Sequence, residues 1–507
     1  MLIKRHSKKK KQKSEPKQDP ASINIPLKTT IEENKKYLQE YLDYTNDLGE
    51  RWLTFNGKKA LLMYFVPLMD SVKLNEHVIK PMLLEKKGDP KEVIQIGSVN
   101  ESQDLHEVIT LLCRGGAILF LEDVSTLYII DATLPASREV SQAIDEKVVR
   151  GSHEGFVENL DKNINLMRQR FLDGSLIVKY LEVGTISRTR VAVLYLKGIS
   201  NPEYYEEVFR RLESIDVDAV ESGSIIEEAL ENSPFSPFPQ LLNTERPDRV
   251  MGNLLEGRIA IMTAGNSSTI VAPSCFFTFY QSPEDYNTRS LYGSFFRLLR
   301  IFSFFVAISL PALYIATISF HYELIPVDLI LTVKSSVDNV PFPPIAEAFI
   351  MVLILELLKE AAIRLPSSIA QTIGVVGGLV IGTAIVEANL VSNIMIIVIA
   401  LTAIASFVVP TNEMSTTLRI LSFPMMVGAA LFGYLGIIFV LTLIIMHLVT
   451  LESVGKPYLI PIAPLRVADL KDVFVRVNQM YMNDRPVGPK PLKRRRQRAL
   501  RDWQKNE

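Results

Sequence analysis

Apolar residues fall into two regimes along the chain. Up to about Arg297 they come as short runs and helical repeats between charged residues, and from there to about Leu451 they dominate. In the first regime, residues 29–44 show helical spacing behind a capping Thr with Glu close after it, and more helix is expected across residues 60–84. Short apolar runs at 93–96, 105–112, 117–121 and 127–130 then mix strand and helix, as in a small α/β unit. Leu160, Ile164 and Met167 return to helical spacing, with Arg168 and Arg170 expected at the surface or in ion pairs. A second α/β unit follows, with strands near 176–183, 190–196 and 258–262 and helices near 203–212 and 225–230. Pro234, Pro237 and Pro239 exclude regular helix early in residues 233–250, which should form an extended brace or an edge.

In the second regime, the run after Arg297 and Arg300 stays uncharged to Phe320, long enough at about 1.5 Å per residue to cross hydrocarbon. The two arginines place its start on the cytoplasmic side. Residues 345–366 are different, because Glu347, Glu356, Lys359, Glu360 and Arg364 are too many ionisable groups for a lipid-exposed span. That segment must be buried in protein, line water or lie in the interface, and its carboxylates Glu347, Glu356 and Glu360 are membrane-embedded or interfacial. Residues 367–390, 391–410 and 420–451 complete the set. The last run is long for one span and short for two, so a tilted helix and a hairpin near residues 433–436 both remain open. Both chain ends are basic, which favours both in the cytoplasm and an even number of crossings. Four are expected if the Glu-bearing segment does not span, six if it crosses and the last run folds back.

Within residues 373–387 (IGVVGGLVIGTAIVE), Gly374, Gly378 and Gly382 recur every fourth residue, with Gly377 beside them, and form a flat stripe for close helix packing. Thr372, Val376, Leu379, Thr383 and Glu387 fall on a different face. One reading is a helix packed inside a bundle. The other makes that face the wall of an oligomeric pore, with Leu379 a constriction that gates by dewetting and Glu387 a charge at one mouth that favours cations. One helix per subunit cannot enclose a pore, so this reading requires a ring of subunits.

Composition narrows the chemistry. The 507 residues carry a net charge of -1 that hides its segregation into basic tails and a nearly uncharged middle. Cys113 and Cys275 give no disulfide framework, the six histidines show no ligand spacing, and no phosphate loop, nucleophile elbow or metal motif occurs. The chain is therefore expected not to be an enzyme, and to need no cofactor or metal. No signal-peptide core follows the Lys-rich start. The Lys- and Arg-rich stretches at residues 1–24 and 493–507 lack interleaved aromatics apart from Trp503, so the tails are assigned to lipid proximity and topology rather than nucleic acid. The expected organisation is a basic disordered tail (1–28), a first α/β subdomain (29–140), a second with the brace (141–290), a helical transmembrane domain (291–455) and a basic cytoplasmic tail (456–507).

Several long segments agree, in order, with one family. They are VVRGSHEGFVENLDKNINLMRQR (148–170), SPFPQLLNTERPDRV (236–250), QSPEDYNTR (281–289), NVPFPPIAEAF (339–349), IRLP (363–366) and QTIGVVGGLVIGTAIVEANLVS (371–392). Over about residues 30–455 the chain resembles the A subunits of the GerA-family spore germinant receptors. The resemblance implies a multi-pass protein of the spore inner membrane, with both termini on the cytoplasmic (core) side. It implies a multispan B subunit that holds the nutrient and a lipoprotein C subunit as partners. It further implies a homo-oligomeric ring, a pentamer, that releases monovalent cations, with residues 373–387 as pore helix and Leu379 at its narrowest point. Two alternatives stay open: an accessory A-like subunit without a direct nutrient response, and a non-conducting membrane scaffold. A secondary transporter would be expected to show paired broken helices, and only one Gly-rich segment is present.

Overall fold

The structure, a computed structural model, describes residues 27–497 apart from 29, 86–87, 135–142, 144–145 and 147. The basic tail expected at the N-terminus and the last ten residues lie outside them, save for Leu27 and Lys28. Two compact units are present, one formed by residues 1–136 with 168–175, the other by 137–167 with 176–507.

The first unit holds helices α1 (Ile31–Tyr41), α2 (Ser71–Leu74), α3 (Lys80–Leu84), α4 (Pro90–Val93) and α5 (Leu105–Cys113). Its strands are β1 (Leu48–Phe55), β2 (Lys58–Phe65), β3 (Val99–Ser102), β4 (Gly116–Leu121) and β5 (Leu127–Asp131). They form one antiparallel sheet in the order β1-β2-β4-β5-β3. Asn56 and Gly57, both at positive φ (52° and 76°), supply the two-residue turn that closes β1 on β2. Residues 60–65, expected as helix, are strand. β2 lies between β1 and β4, with Leu61 and Met63 packed under α1 and α5 while Ala60 and Leu62 face the layer of α2, α3 and α4. A strand covered on both faces has no reason to alternate, so its apolar run imitates a buried helix. Residues 93–96 likewise form the end of α4 and the loop after it rather than a strand. Burial pushes the Cys113 thiol up to about 11, so it stays a neutral packing group.

The second unit opens with α6 (Leu160–Arg168), whose last residue belongs to the first unit. Strands β6 (Leu176–Val183), β7 (Thr189–Leu196), β8 (Leu242–Thr244), β9 (Ile259–Thr263) and β10 (Thr269–Ala272) form an antiparallel sheet in the order β6-β7-β9-β10-β8. Helices α7 (Pro202–Glu213) and α8 (Gly223–Leu230) cover one face through Tyr204, Val208, Leu212, Ile226 and Leu230. The early part of the 233–250 segment has no regular structure, as its prolines dictate, but its end forms β8 and opens α9 (Pro247–Leu255) with Pro247 at the first helical position.

The helical part follows α10 (Pro283–Asn287) and comprises α11 (Ser290–Phe320), α12 (Val327–Asp338), α13 (Pro344–Arg364), α14 (Ser367–Glu387), α15 (Asn393–Phe407) and α16 (Asn412–Thr450). Two of these, α11 and α16, are long and apolar enough to cross a membrane, and residues 377–387 and α15 are shorter apolar helices. The ordering of levels comes from polar contacts. α16 starts beside the irregular segment that leads into β8, where Thr417 Oγ1 donates to the Pro237 carbonyl (2.5 Å), and ends there, where His447 Nε2 meets Ser236 Oγ (2.8 Å). Between these points the backbone reverses at Gly433 (φ 60°, ψ -137°), next to Phe320 and His321 at the far end of α11. Tyr434 and Thr317 share a hydrogen bond at that level (2.7 Å). α16 is thus a helical hairpin, which decides between the two forms the sequence left open.

The remaining helices run between the same two levels. α13 begins with Glu347 beside Ser392, which itself meets Tyr314 of α11, and then reaches Arg419 of the hairpin through Glu356. α14 leads away again to Glu387, and α15 returns to Thr411, whose hydroxyl donates to the Phe279 carbonyl. α11, α13, α14, α15 and the two arms of α16 therefore make six passes between these two levels among the described residues.

Residues 456–497 are folded back onto the second unit. Leu492 N–H donates to Ile199 O (2.9 Å), Arg485 Nε to Leu255 O (2.6 Å), and Lys456 is buried, which pulls its ammonium down to about 8. Asp472 of this segment joins Arg297, Asp285 and Arg300 in a buried ion network at the base of α11, with contacts of 2.7–3.3 Å.

Candidate functional site: the glycine-striped helix

α14 is preceded by Pro366 in an extended conformation, which suits the residue just before a helix. It ends in a Schellman motif: Asn389 takes φ 53°, its N–H donates to Val386 O, and Leu390 N–H donates to Ile385 O. Between these ends the helix meets its own chain sparingly, mainly along α13, and Ile385 is a buried side chain near its end. A Cβ built on Gly374, Gly378 or Gly382 would meet nothing within 4 Å. Among the described residues, nothing fills the stripe expected to take close packing. Gly377 is half-buried.

The opposite face is equally bare. Leu379 is 68% exposed, Thr372, Thr383 and Glu387 are exposed, and the side chain of Val376 lies outside the described residues. Thr383 Oγ1 turns back to the Leu379 carbonyl (2.9 Å), which satisfies the hydroxyl inside its own helix.

The carboxylates of α13 divide between burial and exposure. Glu347 is fully buried and accepts from Ser392 N–H (2.8 Å), which places its carboxyl at the N-terminal end of α15. Glu356 pairs with Arg419 at 2.6 Å, and Arg419 also donates to Ser415 Oγ and Thr416 Oγ1. Glu360 pairs with Arg364 (2.6 Å) one turn on, both exposed. Sequence reasoning missed Arg419 as a partner, although a lone arginine directly before the apolar run 420–451, in the same chain as a Glu-bearing apolar helix, was the available signal.

Where α8 approaches the start of α16, burial pushes the Glu227 carboxyl up to about 8, and Glu413 and Glu231 add to the shift. The unfolded chain releases this proton near 4.5, so between about 4.5 and 8 the folded state binds more protons and loses stability as pH rises. Glu227→Gln removes the titration. Its thermal unfolding temperature is expected to fall less than that of the wild type between pH 5 and 8, and parallel pH profiles for the two proteins would contradict the assignment.

Residues 36–487 match the family described as Bacillus/Clostridium GerA spore germination protein. Spore germination protein B1 of Bacillus subtilis is 37% identical over 486 residues, covering 94% of this chain and all of that protein. An uncharacterized membrane protein of the same organism, YfkQ, is 36% identical over 91% of each chain. Spore germination protein KA of Bacillus subtilis is 33% identical over 93% of this chain and 88% of its own. Among solved structures, the N-terminal domain of the A subunit of the Bacillus megaterium spore germinant receptor GerK3 aligns at 23% identity and a TM-score of 0.39, over 50% of this chain and 98% of that one.

Proposed function

The chain belongs to the GerA spore germination family, and from that membership we propose that it is the A subunit of a nutrient-responsive germinant receptor that assembles as a membrane channel. The observation that carries this reading is α14, an apolar helix that the described residues leave uncovered along both its glycine stripe and its Leu379 face. A glycine stripe spaced every fourth residue is built for close approach of another helix, and nothing among the described residues takes that place. The Thr and Glu of the other face are costly against lipid and acceptable against water. A ring of copies, five in the family's pattern, satisfies both demands: the stripe packs against the next subunit and the Leu379 face lines the axis.

In this arrangement the six passes are six crossings of the spore inner membrane, with both chain ends on the core side. The Leu379 ring excludes water when closed, and Glu387 at the far end of α14 concentrates monovalent cations. A nutrient held by a B-type partner, with a lipoprotein C subunit alongside, opens the ring only if it binds the open packing more tightly than the closed one. The role needs no catalysis and no cofactor.

Leu379→Ala tests it. Removing most of an apolar side chain from each subunit widens and wets the constriction, so spores carrying the variant are expected to release potassium without nutrient and to lose dormancy. Potassium retention equal to wild type, with the variant present at normal level in the inner membrane, would sink the pore assignment.

A further inference from the structure

Residues 233–238 repeat one tripeptide, Ser-Pro-Phe, and its two phenylalanines are placed in opposite surroundings. Phe238 is buried against the rings of Phe276 and His447. Phe235 is fully exposed at the tip of a tight turn, which Ser236 N–H closes by donating to Ser233 O (3.0 Å), with Pro234 at the position such turns favour. Exposure of a single apolar side chain is ordinary and assigns nothing by itself. The location of this one does, because the turn is pinned to both arms of the α16 hairpin. Ser236 Oγ meets His447 Nε2, and the carbonyl of Pro237 accepts from Thr417 Oγ1.

Depth follows from the length of the arms. Sixteen residues separate Thr417 from the reversal at Gly433, and fourteen separate Gly433 from His447. At about 1.5 Å per residue the arms measure about 24 and 21 Å, less than the roughly 30 Å of a hydrocarbon core. With Gly433 at the far boundary of that core, the Ser-Pro-Phe turn lies no farther out than the near boundary. The neighbouring side chains agree, since Ile420, Met446 and Val449 of the two arms are apolar and exposed. Residues 231–240 contain no Lys or Arg, so the contact on offer is apolar and does not depend on anionic headgroups.

We propose that Phe235 is a lipid-contact residue, its ring seated at the boundary between acyl chains and headgroups of the leaflet on the side of the second sheet. Aromatic and apolar side chains of interfacial segments seat at that boundary, and Pro234 and Pro237 restrict the turn before it does so, which lowers the entropy lost on seating. Because the turn is bonded to both arms, the anchor sets how deep the hairpin sits. The inference rests on the reading that α16 crosses the membrane.

The test uses the purified full-length protein in phosphatidylcholine nanodiscs, with Trp52→Phe and Trp503→Phe removing the two native indoles and Phe235→Trp supplying a single new one. Its emission is expected to fall by about half with lipid carrying a nitroxide at carbon five, to fall less with the nitroxide at carbon twelve, and to resist iodide in the water. Emission open to iodide and indifferent to both nitroxides puts the ring in water. Emission shielded from iodide and from both nitroxides puts it under protein, such as a second copy of the chain. Either outcome overturns the proposal, as does a stronger response to the deep nitroxide than to the shallow one. Leu443→Trp in the same background is the reference, because Leu443 is exposed on the second arm, ten residues from Gly433, and so at about 15 Å, mid-depth in the core. It should respond most to the deep nitroxide. A silent reference overturns the crossing of α16 and the anchor with it, whereas a quenched reference beside an unquenched Phe235→Trp removes the anchor alone.

Discussion

Gly436→Val is expected to keep the α16 hairpin from closing and to lower the unfolding temperature of the purified protein by several degrees. A Cβ on Gly436 would overlap the Gly428 carbonyl, and one on Gly428 would sit 2.9 Å from the Gly436 carbonyl and 2.8 Å from a Val440 methyl. Backbone lies on both sides of this contact, so no flexible side chain can move aside. The arms can separate only by opening at Gly433, whose φ of 60° with ψ of -137° is accessible to glycine and closed to other residues. Overpacking of this kind costs about 1–3 kcal/mol even where side chains can adjust, and about 1 kcal/mol corresponds to roughly 2–4 °C in a domain of 150–250 residues. The comparison variant is Gly252→Ala on α9, where nothing lies within 4 Å of the added carbon and no loss is expected. Equal unfolding temperatures for Gly436→Val and Gly252→Ala would show that the two arms do not rely on this contact.

That hairpin marks where sequence reading stops. The length of the last apolar run left a tilted helix and a reversal equally open, because the deciding contact is between two glycines eight positions apart, which no periodicity reveals. The second sheet was legible, since β6, β7 and β9 are short apolar strands bounded by turns and α7 and α8 carry clear helical spacing. β2 was not, since a strand buried on both faces loses the alternation that distinguishes it from helix. Arg297 and Arg300 were read as cytoplasmic flanking charges. Both pair with Asp285, and Arg297 also with Asp472, 175 residues further on, a junction between distant segments that spacing does not reveal. The same long-range pairing explains the C-terminal segment, whose basic composition resembled a solvated tail while its residues up to 497 pack on the second unit. In α14 the two faces were visible from the spacing alone. What covers them was not, and the described residues of the chain leave both faces bare.

The ion pair between Arg168 and Asp47 in the first unit carries the other large effect: Asp47→Ala is expected to destabilise that unit by about 3–5 kcal/mol, the usual cost of stripping one partner from a buried pair. Both side chains are fully buried, the guanidinium grips the carboxylate through two hydrogen bonds of 2.7 and 2.8 Å, and a third goes to Thr45 Oγ1. Arg168 also lies over the Phe65 ring of β2, 4.2 Å from its centre, so it cannot swing out to water without unpacking the sheet. Loss of the carboxylate leaves a buried, unpaired cation. Loss of both charges does not, and Asp47→Ala combined with Arg168→Met should recover most of the stability, because a well-packed apolar pair of similar volume often matches a buried ion pair. The readout is Trp52 on β1, isolated by Trp503→Phe, which removes the other tryptophan of the chain. Its fluorescence transition in urea should move to markedly lower concentration for Asp47→Ala and return most of the way for the double variant. Were the double variant as unstable as the single one, the cost would lie in packing around Asp47 rather than in the stranded charge of Arg168.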